Sequence, residues 1–115
     1  MLYNRKDFLE FFDTKETLQE DIGMIRYKVT SKAGLSLSIF MIICENTICI
    51  NFSSPSNDLI SLSSEKIIYI KFDQKNSDKA CFFFYQKGKD EPVVTVFVKP
   101  NLAVHLNLEQ IPVLV

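Results

Sequence analysis

Glycine is scarce in this sequence, tryptophan is absent and histidine occurs once, and each shortage removes a class of chemistry. The three glycines, Gly23, Gly34 and Gly88, stand far apart, so neither a GxGxxG nor a GxxxxGK phosphate-cradling loop can be assembled. His105 has no His, Cys or carboxylate at a metal-ligand or triad spacing, so no metal, no cofactor and no catalytic residues are expected. Cysteine is present three times, as Cys44, Cys49 and Cys81. An odd number in a chain long enough to build its own core points to reduced thiols and a cytoplasmic compartment. Cys44 and Cys49 read as small buried apolar groups and Cys81 as part of the core.

A surplus of either charge is also missing: 13 Lys and Arg stand against 14 Asp and Glu, for a net charge of −1. Nucleic-acid binders draw most of their affinity from phosphate neutralisation, so nucleic acid is not an expected partner. No apolar run approaches the roughly 20 residues needed to span a bilayer. Arg5 and Lys6 are followed by Asp7 and Glu10, which interrupt any secretory h-region. A membrane is therefore not an expected partner either.

What is abundant is apolar and aromatic: 47% of the 115 residues are hydrophobic and ten are Phe. One domain over 1–115 is expected. Asn4 can cap a helix over about 4–14, in which Phe8, Leu9, Phe11 and Phe12 recur at helical spacing. The polar stretch Lys15 to Asp21 extends that helix or forms a loop, and Gly23 breaks it. Beyond it the pattern is β, with strands expected at about 24–30, 35–44, 47–52, 66–73, 80–86, 93–99 and 102–108. Residues 53–64, with six serines and Pro55, read as a loop. The apolar end Val113-Leu114-Val115 is expected to pack on the sheet.

Two hairpin registers can be derived. A Gly34-containing turn that pairs Ser31 with Leu35 sets Val29 against Leu37, Tyr27 against Ile39 and Ile25 against Met41. All six then share one face, as a half-buried strand pair requires. A two-residue turn at Glu45-Asn46 would set Ile43 against Ile48, Met41 against Ile50 and Ile39 against Phe52.

Several strands nevertheless lack a wet side. Cys81-Phe82-Phe83-Phe84-Tyr85 is apolar on both parities, as are Ile67-Ile68-Tyr69-Ile70 and Val93 to Val98. Such strands must be covered twice. The expected fold is α+β: a short N-terminal helix on a strongly curved, mainly antiparallel six- to seven-stranded meander, half-barrel or barrel-like, with the helix over Phe40, Ile42, Ile67, Tyr69 and Phe83. An apolar face left uncovered would be an interface.

The functional expectation follows from what is missing and what is left over. With no catalytic set and a surplus of apolar strand faces, the chain reads as a non-enzymatic protein-binding module, of the kind of a small bacterial immunity or antitoxin-type inhibitor acting on a basic toxin domain. Acidic side chains would steer the partner and aromatic ones anchor it. The candidate partner-binding residues are Glu16, Glu20, Asp21, Tyr69, Phe83, Tyr85, Asp90 and Glu91. Two alternatives stay open: a small β-barrel holding an apolar ligand among its phenylalanines, and a homodimer through the second apolar face.

Overall fold

The computed structural model describes residues 1–107; Leu108 and Val113-Leu114-Val115 lie outside the described residues. Helix α1, Arg5–Phe11, is capped by the Asn4 side chain, which accepts from the Lys6 amide. Nine strands follow among the described residues: β1 Thr14–Gln19, β2 Met24–Thr30, β3 Ser36–Ile42, β4 Thr47–Ser53, β5 Asp58–Ser64, β6 Ile67–Gln74, β7 Ala80–Gln86, β8 Val94–Lys99 and β9 Ala103–Leu106. They form two antiparallel meanders, β1-β2-β3-β4-β5 and β6-β7-β8-β9. The α+β class holds, but the strands form two sheets rather than one curved sheet of six or seven, and neither closes into a barrel.

Both additional strands lie in segments whose composition conceals them. β1 is wholly exposed, so no apolar period marks it; its backbone is held by pairing Thr14 with Lys28 and Glu16 with Arg26. β5 occupies the serine-rich stretch expected to be a loop. Its inward residues Ile60 and Leu62 are half-buried, while Leu59, Ser61 and Ser63 face out. Serine on the wet face of an edge strand resembles loop composition.

The β2–β3 register is the derived one: Val29 pairs with Leu37, Tyr27 with Ile39 and Ile25 with Met41. The β3–β4 connection departs from expectation. A 3₁₀ turn over Ile43–Glu45, closed by Asn46 in the left-handed conformation, replaces the two-residue turn. Met41 therefore pairs with Ile48, Ile39 with Ile50 and Leu37 with Phe52. The slip is two residues, so every side chain keeps its face. It also leaves Cys44 exposed in the turn rather than buried in a strand, whereas Cys49 is half-buried and Cys81 buried.

The inner faces of the two sheets enclose the core. Tyr27, Leu37, Ile39, Met41, Ile48 and Ile50 come from the first sheet, and Ile67, Phe82, Phe84, Val94 and Val96 from the second. The helix is not laid over Phe40, Tyr69 and Phe83 as expected; it is part of this core. Phe8 packs its ring 4.4 Å from that of Phe82 and 4.8 Å from that of Tyr27, and Phe12 lies 5.9 Å from both. The helix enters the core through Phe8, with Phe12 just beyond its end, between Tyr27 of the first sheet and Phe82 of the second, while Arg5, Lys6, Leu9 and Glu10 stay exposed. Phe40, on the outer face of the first sheet, is instead covered by the Arg26 guanidinium, 5.8 Å from its centroid.

Candidate protein-binding surfaces

Strand β7 explains why its sequence has no wet side. Phe82 and Phe84 point into the core, so Cys81, Phe83 and Tyr85 must point outward. Register then builds the outer face of the second sheet. Tyr69 pairs with Tyr85; Lys71, Phe83, Thr95 and His105 line up across all four strands; and Asp73, Cys81, Phe97 and Ala103 form the next row. Leu2 bridges in parallel to Tyr69, extending the first row beyond the sheet margin. Leu2, Ile68 and Tyr69 are among the exposed large apolar side chains, at 71%, 37% and 42%. Ile68 is exposed because a register shift between Ile67 and Tyr69 makes it the extra residue of a bulge.

The surface is well suited to contact and poorly suited to nucleophilic chemistry. Cys81 lies in a pocket of about 140 Å³ with Phe83, Phe97, Asp73, Lys75 and Lys79. Burial, then the Asp73 carboxylate, push its thiol up from its ordinary value despite the two lysines, so it stays protonated near neutrality. His105 cannot reach it: β8 lies between β7 and β9, which puts their axes about 10 Å apart. Among the described residues no three His, Cys, Asp or Glu side chains are grouped to hold a metal ion.

The acidic candidates have a different geometry. Glu20 and Asp21 sit in a 3₁₀ turn after β1, and Asp90 and Glu91 in the β7–β8 connection. The antiparallel order brings both to the same end of the molecule, with the β3–β4 turn and the β5–β6 link between them. Backbone hydrogen bonds lace these connections into one rim. The Ile43 amide donates to the Gly23 carbonyl at 3.1 Å, Ile67 to Asn46 at 3.0 Å and Lys87 to Lys66 at 3.2 Å. The Met1 ammonium adds a 2.6 Å bond to the Asn46 side chain. Along this rim lie six carboxylates, Glu20, Asp21, Glu45, Glu65, Asp90 and Glu91, against Lys66, Lys87 and Lys89. Glu16 is not part of it. It stands on β1 in an exposed 3.4 Å ion pair with Arg26, of the kind that contributes little to stability.

The eight candidates thus separate. Tyr69, Phe83 and Tyr85 share one face, Glu20, Asp21, Asp90 and Glu91 share the rim, and Glu16 stands apart. The rim adjoins the aromatic face, because β7 ends at Gln86, one residue after Tyr85, and Lys87 is already rim. Sequence reading missed Leu2, Glu45, Glu65 and Phe97. Glu45 and Glu65 carry no signal of their own; they become neighbours only when the strands pair.

No protein family and no curated protein matches the sequence. Among solved structures, the fold is similar to that of a chain in the contact-dependent growth inhibition toxin–immunity protein complex from Klebsiella pneumoniae 342. The TM-score is 0.73 at 16% sequence identity, over 90% of this chain and 91% of that one. The likeness is one of fold. No helix among the described residues is long and apolar enough to cross a membrane.

Proposed function

We propose that this protein is a non-enzymatic immunity protein, which neutralises a cognate toxin domain in the cytoplasm by binding it. The observation that carries this reading is the near end-to-end likeness to a chain drawn from a toxin–immunity protein complex. The surfaces support it. A partly exposed aromatic row beside an acidic rim offers anchors and steering charge for a basic partner, with Tyr69, Phe83 and Tyr85 as the anchors and Glu20, Asp21, Asp90 and Glu91 as the steering set. Glu16, held by Arg26 on the other sheet, contributes little to that surface.

The apolar-ligand barrel is not retained. The sheets do not close, and the space where a ligand would lie is filled by Phe8, Tyr27, Phe82 and Phe84, all 1% exposed or less.

The test is protection. A candidate toxin domain, sought first among the genes adjacent to this one, is expressed in a sensitive host with and without the protein, and binding of the purified pair is followed by calorimetry. Restored growth and a 1:1 complex are expected. Growth arrest that the protein does not relieve, with no heat of binding, rejects the reading.

A further inference from the structure

Leu2 is the most exposed large apolar side chain among the described residues, at 71%, and the fold holds it in that state. Its neighbours Met1 and Tyr3 pack against the core, the Tyr3 ring 5.3 Å from that of Phe8 and its hydroxyl bonded to the Tyr27 hydroxyl at 3.1 Å. Strand alternation then sends Leu2 outward. Two backbone bonds fix it there: its amide donates to the Ile68 carbonyl at 2.8 Å and its carbonyl accepts from the Ile70 amide at 2.9 Å. The parallel bridge to Tyr69 puts both side chains on one face, a strand spacing of about 4.8 Å apart. The bulge in β6 adds Ile68, so that Ile68 and Tyr69 both face water between the buried Ile67 and Ile70. Among the described residues six large apolar side chains are exposed, and three of them, Leu2, Ile68 and Tyr69, meet at this one place.

We propose that Leu2 and Ile68, with Tyr69, form an apolar knob that enters an apolar pocket of the toxin domain, whose cationic side chains line the lip that meets the rim. The knob rests on the toxin-binding reading above and adds two anchors to it. It stands at the corner between the aromatic row and the acidic rim. The Ile67 amide, one residue before Ile68, donates to the Asn46 carbonyl at 3.0 Å, so Glu45 and Glu65 flank the knob on the rim side with Lys66 as the cation between them. On its other side Arg5 and Lys71 share a groove with Leu2, Tyr69 and Asp7. Excess negative charge is thus confined to the rim side, which gives a basic partner's cations a defined place and sets its orientation.

Neither Leu2 nor Ile68 is buried in the fold, so their side chains can be truncated without opening a cavity. Covering them on association removes apolar surface from water. Leu2, already held by backbone bonds on both sides, has less freedom to lose than a side chain on an untethered segment.

Calorimetric titration with the toxin domain that the protection assay identifies tests the proposal. Leu2→Ala and Ile68→Ala should each weaken binding about tenfold, with thermal midpoints close to that of the wild type. Leu2→Met, which keeps the apolar volume, should bind like the wild type. Leu59→Ala, which truncates a leucine 52% exposed on the first sheet, should leave Kd unchanged. If Leu2→Ala fails to fold, Ile68→Ala decides alone. Wild-type affinity in both Leu2→Ala and Ile68→Ala overturns the proposal and leaves the toxin-binding reading standing. A wild type that binds no toxin domain overturns both. A wild type that sediments as a dimer, dispersed by Leu2→Ala while toxin affinity is unchanged, overturns the proposal by giving the knob to a second copy of the chain.

Discussion

Tyr69 and Tyr85 stand opposite each other on β6 and β7, their ring centroids 5.8 Å apart and tilted by 37°, on the outside of the molecule. A paired aromatic platform offers large contact area at small entropic cost, because each ring has few rotamers to lose. If this row anchors a toxin, Tyr69→Ala or Tyr85→Ala should each weaken binding by about 2 kcal/mol, roughly 30-fold in Kd. The loss should appear mainly in the dissociation rate by surface plasmon resonance, with the thermal midpoint nearly unchanged. Wild-type affinity in both variants would remove the row from the interface.

The acidic rim should act on encounter rather than on the bound state. Reversing Asp90 and Glu91 together to lysine should slow association with a basic partner by about tenfold at low salt. The difference should shrink as salt approaches about 1 M, where the screening length falls to about 3 Å. Stopped-flow association rates across a salt series make the measurement. An unchanged low-salt rate would show that the partner approaches elsewhere.

Phe82 and Phe83 are neighbours in sequence and opposites in consequence. Phe82 is fully buried against Phe8, Phe12 and Phe72, so Phe82→Ala should cost about 3–5 kcal/mol through lost transfer energy and the cavity left behind. Phe83, half-buried on the outer face, should cost about 1 kcal/mol when truncated. Urea denaturation of the two variants compares them directly, and equal losses would contradict the assignment of faces.

Gly23 and Gly88 both adopt positive φ, at +67° and +78°, but only Gly23 is crowded. A Cβ added there would sit 2.8 Å from the Ile43 Cβ, on the turn whose amide donates to the Gly23 carbonyl; one added at Gly88 meets nothing within 4 Å. Gly88→Ala should cost about 1 kcal/mol, the left-handed strain alone, and Gly23→Ala about 3 kcal/mol. Denaturation midpoints that order them the other way would be inconsistent with this packing.

Tyr27 gives a pH dependence of known sign. Burial, reinforced by a 3.1 Å hydrogen bond shared with the Tyr3 hydroxyl, pushes its phenol well above its ordinary value. Below about pH 10 it is neutral in both folded and unfolded chains and its contribution is constant. Above that, the unfolded chain loses the proton and the folded chain keeps it, so stability falls by up to about 1.4 kcal/mol per pH unit from this group. Tyr27→Phe should start about 1 kcal/mol less stable and then lose stability more shallowly between about pH 10 and 12. Parallel slopes in urea titrations of the two proteins would refute the assignment.

How far these features were legible varies by element. The β2–β3 register followed from matching apolar parity around Gly34, because a one-residue slip would expose Val29, Tyr27 and Ile25 together. The next hairpin missed by two residues, because parity cannot distinguish registers of the same phase; the left-handed Asn46 and the 3₁₀ turn decided it. β1 was invisible because an edge strand wet on both sides has no period, and β5 because its outward residues are mostly serines.

By itself, the sequence determined that this chain is an α+β protein rich in paired strands, that β7 is apolar on both faces, and that chemistry needing grouped histidines or phosphate-binding glycines has no residues to run on. Those conclusions rest on composition and on periods of two and three to four residues, which are local properties. Only the tertiary structure decided that the strands divide into two sheets, that Phe8 and Phe12 fill the space between them rather than cover the outside, and that Tyr69 and Tyr85 remain facing water. The gathering of Glu20, Asp21, Glu45, Glu65, Asp90 and Glu91 at one rim was likewise out of reach, since side chains up to 71 residues apart in the chain become neighbours only through strand pairing. Which face of a two-faced strand is covered depends on what packs against it, and no local pattern carries that information.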